Sequence, residues 1–374
     1  MGGRATGRLL ADLVAASPRR RRAASEVSPY AEELAELAVV HRVPGPCEAT
    51  MRDLGLRVPD MLGNTQLMQA MQRVTALHDL AFMDDLFGRE GIDFLVFKGQ
   101  VLTTLVSGDE WERPTSDLDV LVRPADLERA VAVLERSGAV HLDRNWEMMH
   151  DVVIGELHLV LPAGTSLDLH WHLLVRESGR ASITPDHPSL FEQARHVDLD
   201  GAAVATFGKA HTLVYSCFHA VISGGHRLVW LTDIEQLIIR DRPDHDEVVA
   251  CAAAWKCELM VGAMLMRTRS ELGVDGVDSL IERLVPNRAV RGLFAMTDRA
   301  IPVSAMNGEA ALLRLLTRSL RATMVESTQS LVRRTFGNAW RAVRRQPTPS
   351  AVELFEDRPG DGCRERYFAS VAAR

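Results

Sequence analysis

The sequence predicts an α+β protein, a small mixed-sheet domain followed by an α-helical domain. Three observations carry this. Short apolar runs with two-residue alternation are confined to residues 92–175, the period of a β-strand. Helical spacings separate most of those runs. From about residue 209 the chain changes to long helix-like segments, "HTLVYSCFHAVISG", "LVWLTDIEQLIIRD", "DEVVACAAAWKCELMVGAMLMRTRSEL" and "ALLRLLTRSLRATMVESTQSLVRRTF".

Taken in order, residues 30–43 and 64–90 have helical spacing. In the second, Leu67, Met71, Val74, Leu77 and Ala81 recur at steps of three and four, an amphipathic stripe. Gly91 ends it, because glycine readily takes the left-handed cap conformation. "IDFLVF" (92–97) is a short apolar run and reads as a buried strand. "KGQVLTTLVSG" returns to helical spacing from Gly99 to Gly108, "DEWERPTS" is a polar loop, and "DLDVLV" is the next strand. "PADLERAVAVLERSG" is a helix, with Pro124 early and Gly138 just past its end. "ELHLVLPAGTSLDLHWHLL" reads as two strands joined by a turn at Pro162-Ala163-Gly164-Thr165. The methionine-rich stretch 260–266 is expected in the core.

Composition narrows the function classes. The 374 residues are 47% apolar and 25% charged, ordinary for a globular protein. No apolar run approaches the length of a membrane span. Cys47, Cys217, Cys251, Cys257 and Cys363 form no C-x-x-C pair, which fits a reducing cytoplasm and gives no zinc site. Charge is uneven: residues 1–25 carry six arginines and one acid, and residues 310–346 eight arginines and one acid, yet the chain totals −7. The body between these ends is acidic, which argues against a nucleic-acid partner needing many phosphate contacts. Residues 1–28 are expected as a disordered basic tail. Residues 29–200 then hold the mixed-sheet domain with its N-terminal helices, 201–300 a helical domain contributing to a substrate cleft, and 301–374 a basic helical region and tail.

The stretch "RPTSDLDVLV" (113–122) raises the chemical question, because ionised carboxylates are costly to bury unless compensated. On a strand Asp117 and Asp119 share one face. Like charges so close repel unless a cation sits between them, and carboxylate oxygens suit Mg²⁺, usually shared with substrate phosphates. In "SLDLHWHLL", Asp168, His170 and His172 share a face by the same alternation. If the two strands are neighbours, Asp168 becomes a third acid, a recurring arrangement for in-line phosphoryl transfer. "FKG" at 97–99 places Lys98 and Gly99 between a strand and a helix start, where backbone N–H groups meet a phosphate. The chain has only three lysines, Lys98, Lys209 and Lys256. Arg113 either grips a phosphate or closes its own loop. His170 and His172 are base or supporting candidates. His219, His226, Arg227 and Asp233, in "FHAVISGGHRLVWLTDIEQL", either contact the acceptor or knit helices together.

With "FKG", "RPTSDLDVLV" and "SLDLHW" in this order, the chain resembles the nucleotidyltransferase-fold family labelled uncharacterised nucleotidyltransferases, over roughly residues 30–300. The resemblance implies a nucleotidyltransferase-fold domain in which Asp117 and Asp119 are metal ligands and Asp168 is a third ligand or base. Lys98, Gly99 and Ser116 would lie near the nucleotide phosphates. It implies a Mg²⁺- or Mn²⁺-dependent transfer from a nucleotide donor to a hydroxyl or phosphate of a small molecule or peptide. Peptide natural-product tailoring is one setting. Nucleotidyltransferases of known activity carry Gly-Ser where this chain has Lys98-Gly99-Gln100. That departure keeps two alternatives open: transfer of a sugar from a nucleotide sugar, and a degenerate nucleotide-binding module.

Overall fold

A computed structural model describes residues 3–16, 18, 20–107, 111–176, 180, 182–306, 310–343 and 351–374. The chain divides into two compact units interleaved in sequence. One comprises residues 1–70, 105–114 and 209–338, the other 71–104, 115–208 and 339–374. The expected sequential division is thus replaced: the N-terminal helices belong with the helical unit and the last residues with the sheet unit.

The sheet unit holds a five-stranded mixed sheet. Its strands are β1 (Phe94–Val96), β2 (Asp117–Val122), β3 (Val140–His141), β4 (Glu156–Val160) and β5 (Ser166–His170), in spatial order β1-β2-β5-β4-β3. Only β2 and β5 run parallel; the other neighbours are antiparallel. Residues 118–122 of β2 are all buried, with Leu118, Val120 and Val122 on one face and Leu121 beside the acids on the other. The hairpin β4–β5 is held by Asp79, 1% exposed on the helix Asp60–Glu90, whose carboxylate accepts from Ala163 N and Thr165 N at 3.0 Å each. A buried carboxylate taking two backbone N–H groups fixes the turn, and with it the start of β5. A second sheet, β6 (Arg195–Leu199) and β7 (Ala202–Thr206), is an antiparallel hairpin. It, β3 and the helix Trp146–Val152 have no counterpart in the sequence reading, their apolar patterns being short and broken.

The apolar stripe foreseen on the long helix is not its buried face. Leu67, Met71 and Val74 are more than half exposed, whereas Ala76, Leu80, Met83 and Phe87 are buried. Both sets have helical spacing. The choice between them belongs to the packing, in which Phe87 meets Phe94 edge-on at 5.5 Å.

The C-terminal end of the chain is part of this unit rather than a tail. The helix Cys363–Ala372 buries Tyr367 and Phe368, and the Tyr367 hydroxyl donates to the Ile154 carbonyl at 2.7 Å. The Trp171 indole donates to the same oxygen at 2.7 Å.

In the helical unit, residues 3–14 form a helix with Leu9, Leu10, Leu13 and Val14 buried, where a disordered tail was expected. Those four residues lie at helical spacing, and a Cβ at Gly7 would fall 1.8 Å from the Ser304 carbonyl oxygen. Glycine is therefore required there, by a partner some 300 residues away in sequence that no local reading sees. Within the arginine run, Arg22 Nη2 donates to Asp12 at 2.5 Å. The helices Lys209–Ser223, Leu228–Gln236 and Glu258–Leu272 form the core of this unit, and Met260, Met264 and Met266 are buried as expected. All five cysteines are buried and free. Among the described residues no helix is long and apolar enough to cross a membrane. Gly108 and residues 344–350, the end of the second arginine run, lie outside the described residues.

Candidate functional site

Strand register assembles the site. Asp119 pairs with Asp168 and Asp117 with Ser166 across the parallel β2–β5 ladder. Paired residues share a sheet face, so Asp117, Asp119 and Asp168 lie on one face. On the far side of β5, Asp168 pairs with His158 and His170 with Glu156. One face thus carries Asp117 and Asp119 on β2, Asp168 and His170 on β5, and Glu156 and His158 on β4.

Ligand atoms of Asp119, Asp168 and His170 lie within 4.8 Å of one another. Asp117 stands outside this trio, two residues nearer the start of β2. His170 Nε2 is 3.3 Å from Asp119 Oδ1, and its Nδ1 faces Glu156 Oε2 at 3.5 Å without hydrogen-bond geometry. The imidazole packs edge-on to Phe97 at 5.0 Å, and Phe97 stacks on Phe207 at 5.0 Å, just past β7. One wall of the cluster is therefore aromatic and dry.

Asp119 is 2% exposed, and the Lys98 ammonium pairs with its Oδ1. Burial alone would push this carboxyl up, but Lys98 and His170 outweigh it and hold it at about 2. Asp168 behaves oppositely: burial, then the Asp119 charge, push it up to about 6. Two close carboxylates, one held low by a direct cation and one raised by burial and its neighbour, is an electrostatic condition a bound cation relieves. Next to Asp168, the His158 imidazole is 4.0 Å from its Oδ1 and 3.0 Å from Asp143 Oδ1. Burial works against the imidazolium, but Asp143, Glu156 and Asp168 raise it to about 9. His158 is therefore charged at neutral pH, and Asp143 fixes its ring.

The turn after β1 explains Lys98-Gly99. Both residues are left-handed, with φ of +61° and +37°, a conformation costly for lysine. A Cβ at Gly99 would lie 2.9 Å from the Asp117 carbonyl oxygen and 3.8 Å from Asp119 Oδ2. Glycine thus lets the start of the helix Gly99–Val106 come down onto the acids while Lys98 is turned toward Asp119. Ser116 is exposed at the mouth of β2.

The other expected residues are not on these strands. His172 is beyond β5, accepting from Leu174 N at 2.9 Å with its ring 4.3 Å from that of His187. In the helical unit, Arg113 Nε donates to buried Asp233 Oδ1 at 2.7 Å and its Nη1 to the Pro114 carbonyl at 3.1 Å. It closes its own loop, one of the two roles foreseen for it. His219 is 3.4 Å from the Ser223 hydroxyl, one helical turn on. His226 packs edge-on to Trp230 at 5.2 Å, and Arg227 stands at the N-cap position of the helix Leu228–Gln236 without a side-chain capping bond. Glu156, His158 and Asp143 were not singled out in the sequence, although "ELHLV" carries the same acid-apolar-histidine alternation as "DLH".

Two carboxylates and an imidazole within 4.8 Å are a donor set that could hold a divalent cation. The family model described as uncharacterised nucleotidyltransferase matches residues 29–273, more than half of the chain. No curated protein matches. Among solved structures, a lincosamide antibiotic adenylyltransferase, LnuA, with lincomycin bound is similar at 17% identity and a TM-score of 0.29, covering 43% of this chain and 94% of that one. An antigenic nucleotidyltransferase-like protein from Paracoccidioides brasiliensis is similar at 14% identity and a TM-score of 0.33, covering 59% and 95%.

Proposed function

The chain belongs to the family of uncharacterised nucleotidyltransferases, and from that premise we propose that its sheet unit transfers a nucleotidyl group from a nucleoside triphosphate to a hydroxyl or phosphate of a small molecule or peptide. The observation that carries this is the β2–β5 register, which sets Asp119 against Asp168 beside the Lys98-Gly99 turn.

Asp119, Asp168 and His170 are the residues that would hold Mg²⁺ or Mn²⁺, with Asp117 next along the same face. A divalent ion bound there would neutralise charge on the transferring phosphoryl group and orient the attacking oxygen. The chain's own residues do the rest. Lys98, turned inward by its left-handed backbone beside Asp119, would offer a point charge to a phosphate. Gly99 lets the helix N-terminus come close enough for its N–H groups to meet phosphate oxygens. Asp168, across the ladder from Asp119, accepts the acceptor hydroxyl's proton. The acceptor oxygen forms a bond to the α-phosphorus, the bond to the bridging oxygen breaks, and pyrophosphate leaves. The imidazolium of His158, fixed by Asp143, holds Asp168 in place.

The test is incubation with each nucleoside triphosphate, Mg²⁺ and a panel of hydroxyl-bearing acceptors, read by acceptor mass and pyrophosphate release. A mass gain of one nucleoside monophosphate is expected. A hexose gained from a nucleotide sugar would reassign the reaction, and absence of metal-dependent nucleotide binding would overturn the enzymatic reading.

A further inference from the structure

In the helical unit, residues 224–227 join the helix Lys209–Ser223 to the helix Leu228–Gln236. Gly224 and Gly225 are both left-handed, with φ of +101° and +56°. A Cβ at Gly224 would lie 2.8 Å from Arg314 Cγ, and one at Gly225 2.7 Å from Arg267 Nη1. The loop is therefore pressed onto arginine side chains, which only glycine permits at both positions. Arg318 joins them, its Nη2 donating to the Ser223 carbonyl at 3.4 Å.

These arginines differ in how they are satisfied. Arg267 has its own carboxylate, Asp298 at 2.9 Å, and the Thr317 hydroxyl at 3.1 Å. Among the described residues no carboxylate pairs with Arg227, Arg314 or Arg318. The Nε atoms of Arg227 and Arg318 are buried without a hydrogen-bond partner, as is Nδ1 of His226, a residue only 6% exposed. Buried donors are rarely left unmade, because each costs its desolvation.

Their charges also crowd one another. Burial, then Arg42 and Arg314, push the Arg227 guanidinium below its ordinary value. Burial, then Arg314 and Arg334, do the same to Arg318. His226 is lowered to about 4 by burial and then by Arg314, Arg227 and Arg318. The nearby helix N-terminus contributes little, since its first N–H groups already bond His41: Leu228 N to Nδ1 at 3.3 Å and Val229 N to the carbonyl at 3.2 Å. The cluster stands on side chains.

We propose that the Gly224–Arg227 loop, with Arg314 and Arg318, is a binding site for a phosphate-type oxyanion, either free or carried on a larger phosphorylated ligand. Guanidinium groups bind such oxygens in a fork geometry that the unsatisfied Nε atoms complete. The site is independent of the nucleotidyl-transfer reading, which rests on residues of the sheet unit.

The experiment is calorimetric titration of the full chain in EDTA at constant ionic strength, with inorganic phosphate, pyrophosphate and a nucleoside triphosphate as separate probes. Saturable binding is expected, weakened about tenfold or more in Arg314→Gln and in Arg318→Gln. Binding should be unaltered in Arg89→Gln, an exposed arginine paired with Asp85. Binding of phosphate or pyrophosphate that both arginine variants weaken identifies a free anion as the occupant; binding of the triphosphate alone, weakened in both variants, identifies a larger phosphorylated ligand. In the unsubstituted protein, the tightest probe should protect Arg227, Arg314 and Arg318 from phenylglyoxal, mapped by mass spectrometry, which covers variants that fail to fold. Equal Kd in wild type and both variants, no saturable binding of any probe, or no protection of these arginines overturns the proposal.

Discussion

Asp168→Asn is expected to make the metal-free protein more stable while removing its activity. In the fold, burial and the Asp119 charge raise the Asp168 carboxyl from 3.8 to about 6. Keeping it ionised above that value therefore works against folding. About two pKa units at ~1.4 kcal/mol each give about 3 kcal/mol at neutral pH. The sign follows from proton counts: between pH 3.8 and about 6 the folded chain holds the proton that the unfolded chain has lost. Stability therefore falls as pH rises through that window and stays at its lower level above it. Asparagine keeps the shape and removes the charge, so the metal-free variant should unfold several degrees higher, at ~2–4 °C per kcal/mol. The assay is thermal unfolding in EDTA at pH 7.5, repeated with Mg²⁺. Wild type should gain stability with Mg²⁺ and the variant little, since binding to the folded state alone stabilises by mass action. An Asp168→Asn protein that melts lower in EDTA would make the carboxylate a satisfied structural group and refute the reasoning.

Four further outcomes follow from the same geometry. Lys98→Met strips buried Asp119 of its cation and should cost about 2 kcal/mol in EDTA, measured by denaturant unfolding, with Mg²⁺ restoring part of it. Gly99→Ala places a methyl 2.9 Å from the Asp117 carbonyl at φ +37°; it should cost about 1–3 kcal/mol and abolish nucleotide binding in calorimetry. Arg113→Gln leaves Asp233 buried and unpaired, and should cost about 3 kcal/mol by denaturant unfolding with no change in nucleotide affinity. His41 and His187 are held neutral, lowered by burial to about 4. The unfolded chain takes up their protons from pH 6.5 downward and the folded chain does not. Unfolding followed against pH should therefore show stability fully present above pH 6.5 and falling between 6.5 and about 4, by about 2 kcal/mol per histidine at pH 5.

The sequence by itself determined the parts of the site that are local. Strand alternation places Asp117 with Asp119 and Asp168 with His170, because side chains on a strand repeat every two residues. The Lys98-Gly99 turn was legible too, because a glycine between a strand and a helix marks close backbone approach. Tertiary structure decided which strands are neighbours. The parallel pairing that sets Asp119 against Asp168, and the hairpin register that brings Glu156 and His158 to the same face, join segments up to about 50 residues apart, and nothing in either segment's own pattern states its partner. For the same reason His170, rather than Asp117, completes the trio of close ligand atoms. Arg113 could not be assigned from sequence because its partner Asp233 is 120 residues away. The N-terminal helix reads as a basic tail until Ser304 is placed against Gly7. Periodicity fixes which side chains share a face; burial and ion pairing depend on what that face meets, a property of packing between segments remote in sequence.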